Sequence, residues 1–304
     1  MLAAEREMPA GVRGAPFEFE ALGTRWFVDV DGGIPARLAW AITDELERID
    51  RVWSRFRPDS LVASMARDGG THGLAEPDLR LLRWYARLYD ATDGAVTPLI
   101  GQTLSDAGYD AELSLSPRQH ITPTPAWDHR RQLTGNGIAL DRPALIDVGA
   151  AGKGFAVDRI ASLIEQTGAG SYLVDAGGDI AVGGSEHVIG LEHPVWPDRI
   201  IGTVTVGGAG HRRRSVCGSA TNRRAWRDWH HIVDPRTGAP TSEVIAAWAI
   251  AGSAMQADGI ATALFFIPPE RLQSLGPFDH VVVHADGSIR RSPGVTVFDE
   301  RDQQ

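Results

Sequence analysis

Ile146-Asp147-Val148-Gly149-Ala150-Ala151-Gly152-Lys153-Gly154-Phe155-Ala156-Val157-Asp158 is the stretch on which the fold turns. An apolar segment runs into a loop made only of Gly and Ala, then one Lys, then apolar residues at helical spacing. Ala139 to Val148 reads as a strand interrupted at Arg142-Pro143. Gly154 to Thr167 reads as a helix with Ala156, Val157, Ile160, Leu163 and Ile164 inward and Gly168 as its stop. Small residues let a ligand approach the backbone, and free N–H groups at a helix start suit a phosphate. Lys153 adds a full charge there, and Asp147 could accept from a ribose or base or position a metal's waters. The stretch is not a P-loop, because Gly154 rather than Ser or Thr follows Lys153 and the glycine spacing differs. A tight strand–helix turn with a solvated Lys is the plainer alternative.

Outward from this stretch, helices and short strands mix without regular βαβ alternation. Phe17 to Val30 alternates apolar and polar residues around Leu22-Gly23-Thr24, the pattern of a hairpin. Pro35 to Trp53 carries Leu38, Ile42, Leu46, Ile49 and Trp53 on one helical face. Pro77 to Asp90 and Ala254 to Phe266 are further helices, and residues 91–136 are rich in loops. Strands are expected at Tyr172–Val174, Val188–Leu191, Ile200–Val206, Ile232–Val233, Ala246–Ala251, Val281–His284 and Val295–Phe298. This predicts an α+β fold, mostly antiparallel sheet with packed helices, as a single domain over residues 16–300 after a disordered lead at 1–15.

Composition narrows the function. With 304 residues, 43% hydrophobic, the chain can bury a real core. A net charge of -9 argues against a nucleic-acid surface. The basic run His211-Arg212-Arg213-Arg214 reads as a solvated turn. Cys217 is the only cysteine, so no disulfide can form within the chain. Charges at Glu5, Arg6, Glu7 and Arg13 break any signal-peptide core, and no apolar run is long enough for a membrane span. A soluble, cytoplasmic protein is expected. Of the 30 basic residues only Lys153 is a lysine. Against such an arginine bias, a lone ammonium suggests a compact charge in a tight phosphate pocket, where a planar fork needs more room.

Asp258 and Thr262 are four apart in an apolar helix and share one face. A carboxylate and a hydroxyl so placed can share a hard cation. The buried carboxylate needs a partner, either Mg²⁺ or an arginine or cap. In His230-His231-Ile232-Val233-Asp234-Pro235-Arg236, a strand enters a turn and adjacent His rings point to opposite faces, so one can serve as a general base. Asp234 is placed to hold Arg236. Cys217-Gly218-Ser219-Ala220-Thr221 reads as a binding loop, and Asp175-Ala176-Gly177-Gly178-Asp179 as a glycine turn.

These segments, in this order, resemble the ApbE family of FAD:protein FMN transferases. Asp147 to Asp158 is similar to that family's DLGGIAKGYAVD, the Asp258 helix to its ADALATA, and His230 to Gly238 to its HHIIDPRTG. Gly23-Thr24, the Ser54-to-Ser60 stretch and Ala176-Gly177-Gly178-Asp179 add shorter matches, and the resemblance spans about residues 18 to 298. It implies a T-fold-like domain that uses FAD as substrate and Mg²⁺, transfers FMN to a threonine of an acceptor flavoprotein, and releases AMP. In residues, it implies Asp147 and Lys153 on FAD. Leu22, Gly23, Thr24, Phe56, Ala95 and Thr97 would line the flavin site. Asp258 and Thr262, with backbone oxygens near Ala150 and Ala261, would hold the metal. His231 would take the acceptor's proton, with Lys153 and Asp258 as its catalytic companions. Leu22 replaces the family's Met, Thr97 its Asp, and Cys217-Gly218-Ser219-Ala220 its ATSG, departures that bear on flavin and acceptor handling. An Mg-dependent FAD pyrophosphatase giving FMN and AMP, or a non-catalytic FAD-binding protein, would use the same residues.

Overall fold

The strand Val244–Ala251 shows why the molecule is layered. Side chains alternate faces along a strand, and here both faces are buried. Ala247, Ala249 and Ala251 pack into one apolar cluster, while Ala246, Trp248 and Ile250 pack into another. Such a strand must lie mid-sheet with cover on both sides. The computed structural model describes residues 16–196, 198–208 and 213–298. In it Val244–Ala251 belongs to an eight-stranded sheet. The spatial order is Phe17–Ala21, Thr24–Val30, Tyr172–Ala176, Asp179–Gly183, Arg214–Ala220, Val244–Ala251, Asp279–His284 and Ile289–Arg291. Every neighbouring pair is antiparallel.

The helices are α1 (Ala36–Trp53), α2 (Leu61–Asp68), α3 (Glu76–Ala91), α4 (Gly101–Asp106), α5 (His129–Gln132), α6 (Gly152–Glu165) and α7 (Ala254–Ala263). One face of the sheet is covered by α6 and α7, with α1 and α3 packed outside them. The other face is covered by a three-stranded sheet of His187–Glu192, Ile200–Val206 and Thr296–Val297. The α+β, antiparallel expectation therefore holds. Among the described residues no helix is long and apolar enough to cross a membrane.

The crossing of α6 and α7 builds the centre of the molecule. Gly154 lies where a Cβ would come 2.2 Å from the Ala254 carbonyl oxygen and 2.7 Å from Asp258 Cβ, so only glycine lets the two helices approach. Asp158, one turn further along α6, accepts hydrogen bonds from the first N–H groups of α7, Ala254 at 3.0 Å and Met255 at 2.9 Å. A carboxylate at a helix start both fills orphan donors and meets the positive end of the dipole. Ser253 adds a side-chain cap to Gln256 N–H.

Several local expectations need correction. α6 begins at Gly152 and ends at Glu165, two residues before the expected limits at each end. Of the expected Ala139–Val148 strand only Ala139 and Leu140 form, as the end of the strand Gly137–Leu140, because Arg142-Pro143 breaks it and the chain then runs to Asp147 without regular structure. Cys217 to Ala220 is not a loop: it lies in the central strand Arg214–Ala220, whose small side chains hide a burial that neighbours on both sides impose. The expected Ile232–Val233 strand is replaced by Trp229–His230 and Val233–Asp234, with a bend at His231. In the basic run, Arg213 is no solvated residue. It donates to Asp158 Oδ1 at 2.9 Å and to Glu165 Oε2 at 2.6 Å, pinning the chain to α6; His211 and Arg212 lie outside the described residues. So do the expected lead at 1–15 and the domain's last expected residues, 299–300.

Candidate functional site

The Gly149-to-Lys153 loop and the polar face of α7 meet at the α6–α7 crossing. Gly154 N–H donates to Asp258 Oδ2 at 2.9 Å. Asp258 is 2% exposed, and burial pushes its carboxyl above the usual carboxylate range, with the nearby Lys153 and Arg224 charges and the Gly154 N–H opposing. One helical turn on, Thr262 Oγ1 lies 3.5 Å from the Ala150 carbonyl oxygen and 3.3 Å from Ser219 Oγ. The end of α7 passes over the Ala261 carbonyl: Leu264 N–H donates to Ile260 O at 2.9 Å and Phe265 N–H to Thr262 O at 3.2 Å.

Lys153 reaches across to Asp179, which is fully buried at the start of the strand Asp179–Gly183. Among the described residues Asp179 Oδ1 has no hydrogen-bond partner. The turn leading to it is set by Gly177 and Gly178, both at positive φ, and by Gly178 N–H donating to Asp175 Oδ1 at 2.8 Å. A Cβ on Gly177 would come 2.3 Å from Thr24 Oγ1, so the Leu22-Gly23-Thr24 turn lies directly beside it. Leu22 and Gly23 both have positive φ, at 51° and 71°, the geometry of a tight two-residue hairpin turn.

On the other flank, Asp147 Oδ1 accepts from Gly149 N–H at 2.7 Å and Asp147 Oδ2 from Arg55 Nε at 2.5 Å. The Arg55 guanidinium sits 4.3 Å from the Phe56 ring centre and 4.6 Å from that of Tyr109. Phe56 itself is 39% exposed and meets Tyr109 edge-on at 5.4 Å. Its exposure leaves one aromatic surface open beside Asp147. Ala95 and Thr97 are buried. Thr97 Oγ1 caps the next turn by accepting from Leu99 N–H at 3.2 Å, so in this fold it has a structural task. It stays close to the site through Pro98, whose carbonyl accepts from Asp147 N–H at 2.8 Å. Tyr85, fully buried, accepts from Ala150 N–H at 3.1 Å and is held protonated by burial and by the Asp147 and Asp258 charges.

The two histidines divide. His230 Nε2 contacts the Thr241 carbonyl at 2.8 Å, and its Nδ1 accepts from Ile232 N–H at 3.2 Å, so both ring nitrogens are used structurally. His231 keeps one nitrogen without a bond of this kind; its Nδ1 lies 3.4 Å from the Arg224 carbonyl. Burial, then the Arg224 charge, lowers its pKa to about 4, and Lys153 adds to the shift. The ring is neutral at pH 7 and able to accept a proton. In the unfolded chain a histidine titrates near 6.5. The folded value is lower, so the unfolded state binds the extra proton, and stability falls as pH drops from about 6.5 to about 4, by up to about 3 kcal/mol. His231→Gln should flatten urea midpoints over that window relative to the parent. Equal slopes in both proteins would show that His231 stays solvated enough to titrate normally. Asp234 holds Arg236 with a 2.6 Å contact, as the sequence suggests.

Thus Asp258 and Thr262 of α7 meet the Gly149-to-Lys153 loop through Gly154 N–H and the Ala150 carbonyl, Asp147 closes the loop's other end, and Lys153 reaches Asp179 beside the Leu22-Gly23-Thr24 turn. The sequence did not single out Tyr85, Tyr109 or Arg224, and it took in Arg55, Asp179 and Ser219 only as members of longer motifs, without a role of their own. In a chain with 29 arginines, no one arginine stands out. A cleft lined by Gly178, Glu192, Pro194, Ser219, Arg223 and Trp248 opens beside Thr262 through Ser219. The larger groove around Asp29, Asp31, Ser171 and His187 lies at the opposite end of the Thr24–Val30 strand and carries none of these groups.

Among the described residues no three His, Cys, Asp or Glu side chains converge to hold a metal. The donor set on offer is instead one carboxylate, one hydroxyl and two backbone carbonyls, one of them skipped by its helix. Hard oxygen donors of this kind fit Mg²⁺, which keeps positions for waters and phosphate oxygens.

The sequence profile of the ApbE family matches residues 22–279. The chain is similar to curated proteins described as FAD:protein FMN transferase. That of Klebsiella pneumoniae is 26% identical over 280 residues, covering 84% of this chain and 79% of the relative. That of Salmonella typhimurium is 27% identical over 288 residues, covering 85% and 80%. Among solved structures, the ApbE protein of Thermotoga maritima superposes with a TM-score of 0.72 at 24% identity, covering 91% of this chain and 96% of its own. The flavin transferase ApbE of Vibrio cholerae gives 0.71 at 21%, with the same coverage.

Proposed function

The chain belongs to the ApbE family, and from that premise we propose that it transfers FMN from FAD to a threonine hydroxyl of an acceptor flavoprotein, releasing AMP, with Mg²⁺. The observation that carries the reading is the glycine-permitted crossing of α6 and α7, where Asp258 and Thr262 meet Gly154 N–H and the Ala150 carbonyl of the loop that carries Lys153.

The chemistry follows from charge. The acceptor oxygen forms a bond to the FMN-side phosphorus, and the bridging P–O bond breaks, so the electron pair leaves with AMP. A Mg²⁺ held by Asp258, Thr262 and the Ala150 and Ala261 carbonyls would neutralise diphosphate charge as it develops. Lys153, steered by Asp179, supplies a compact positive charge at the α6 start. Exposed Phe56 offers a stacking face to the isoalloxazine, and the Leu22-Gly23-Thr24 turn closes the other flank. Neutral His231 takes the hydroxyl proton. A cytoplasmic setting goes with this reading, supported by a single buried cysteine that leaves no disulfide within the chain.

Incubation with FAD, Mg²⁺ and a threonine-bearing flavoprotein acceptor should give a covalently fluorescent acceptor and one AMP per FMN transferred. Free FMN and AMP with no labelled acceptor would instead establish hydrolysis, and bound FAD with no turnover would establish binding alone. Lys153→Arg should lower transfer on the order of tenfold although charge is kept, because a guanidinium cannot take the compact position beside Asp179. Full activity of that variant would remove any special role for the ammonium.

A further inference from the structure

Arg224 lies in the short turn after the central strand Arg214–Ala220 and does two things at once. Its carbonyl accepts from His231 N–H at 3.2 Å and faces His231 Nδ1, so its backbone sets the ring of the proposed base. Its guanidinium is turned away from that contact: Nη1 donates to Tyr109 Oη at 2.5 Å, and the group lies 5.6 Å from the Tyr109 ring centre. The other cations around the site each hold a carboxylate, Lys153 with Asp179, Arg55 with Asp147, Arg223 with Glu192 and Arg236 with Asp234. Among the described residues none is ion-paired with Arg224. The Tyr109 ring also carries the Arg55 guanidinium at 4.6 Å, and Arg55 donates to Asp147 Oδ2 at 2.5 Å, which places the Arg224 anchor on the Asp147 flank of the loop into α6. An arginine fixed by the Tyr109 phenol, with no anion of its own, on the Asp147 flank of the loop into α6, is arranged to receive an anion from outside.

We propose that Arg224 is a second cationic contact for the FAD diphosphate, held in place by the Tyr109 hydroxyl, and is a catalytic residue of the transfer. This rests on the function proposed above. As the acceptor oxygen bonds to the FMN phosphorus and the bridging oxygen leaves, negative charge collects on the AMP phosphate. A guanidinium can meet two of its oxygens at once. Lys153 and Arg224 then bracket the diphosphate, while the Arg224 backbone keeps the proton acceptor aligned. Tyr109 is a positioning residue, braced on Arg55.

The test uses the full-length protein with Mg²⁺ and three variants, Arg224→Gln, Arg224→Lys and Tyr109→Phe. FAD and riboflavin binding are followed by flavin fluorescence, and transfer by single turnover. For Arg224→Gln, FAD affinity should fall about tenfold and riboflavin affinity stay unchanged, since riboflavin has no phosphate; transfer should fall about 100-fold. The acidic limb of its pH–rate profile should move upward, because His231 loses a neighbouring positive charge. Arg224→Lys should recover part of the loss, and Tyr109→Phe should fall between. Equal losses of FAD and riboflavin binding, or FAD binding unchanged in Arg224→Gln, would overturn the proposal. If Arg224→Gln does not fold, the same comparison in the other two variants decides it. If the parent makes no FMN-protein, the transferase reading fails, while the FAD-to-riboflavin comparison still judges the Arg224 contact.

Discussion

Asp258→Ala is expected to lower metal-dependent turnover by about 10³-fold or more while leaving the protein folded. The carboxylate is the only charged oxygen on the α7 face that meets the Gly149-to-Lys153 loop. Without it, a hydroxyl and two carbonyls remain, too little negative charge to draw a dication from its water shell. The fold should survive because Asp258 is costly where it is. Burial favours its protonated form, and the Gly154 hydrogen bond offsets only part of that cost. Losing that bond leaves one backbone N–H unpaired, about 1–3 kcal/mol, against relief from a buried charge. The parent should therefore gain melting temperature on addition of Mg²⁺, as any ligand of the native state provides, and the variant should not. Turnover within tenfold of the parent, or an equal Mg²⁺-induced shift, would remove Asp258 from the metal site.

Gly154→Ala is expected to cost about 3 kcal/mol or more of stability and most of the activity. The added Cβ would sit 2.2 Å from the Ala254 carbonyl oxygen, a backbone atom that no rotamer change can move. α6 and α7 must separate, which pulls Gly154 N–H away from Asp258 and Lys153 away from the α7 face. Gly135→Ala is the control. Nothing lies within 4 Å of its Cβ position, and its change should stay within about 0.5 kcal/mol. Urea midpoints for the pair, read beside transfer rates, check this. Matching midpoints would mean that the helix crossing is looser than the structure has it.

How much of this the sequence shows depends on how local each cause is. The loop into α6 is legible from Ile146 to Asp158 because small residues, a helix start and a lone lysine all lie within one stretch. Asp258 and Thr262 are legible as one face because helical spacing alone puts them there. The hairpin at Leu22-Gly23-Thr24 follows from alternation and a glycine. What escapes is decided by distant parts of the chain. The strand Arg214–Ala220 carries few large apolar residues and becomes central only because Asp179–Gly183 and Val244–Ala251 flank it. Gly154 meets Asp258 across 104 residues, and Arg55 meets Asp147 across 92. Thr97, expected beside a ligand, is drawn into capping its own turn. Arg224 is one arginine among many until the fold places it without a counterion.

The proposed transfer depends on one electrostatic arrangement, a lysine and a dication meeting on a single diphosphate. The most direct measurement is a crystal of the protein with FAD and Mn²⁺, with the metal located by its anomalous signal. One peak is expected within about 2.5 Å of Asp258 and Thr262 oxygens and of a diphosphate oxygen, with Lys153 Nζ in hydrogen-bond reach of the same diphosphate. A peak elsewhere, or a diphosphate out of reach of Lys153, would contradict it.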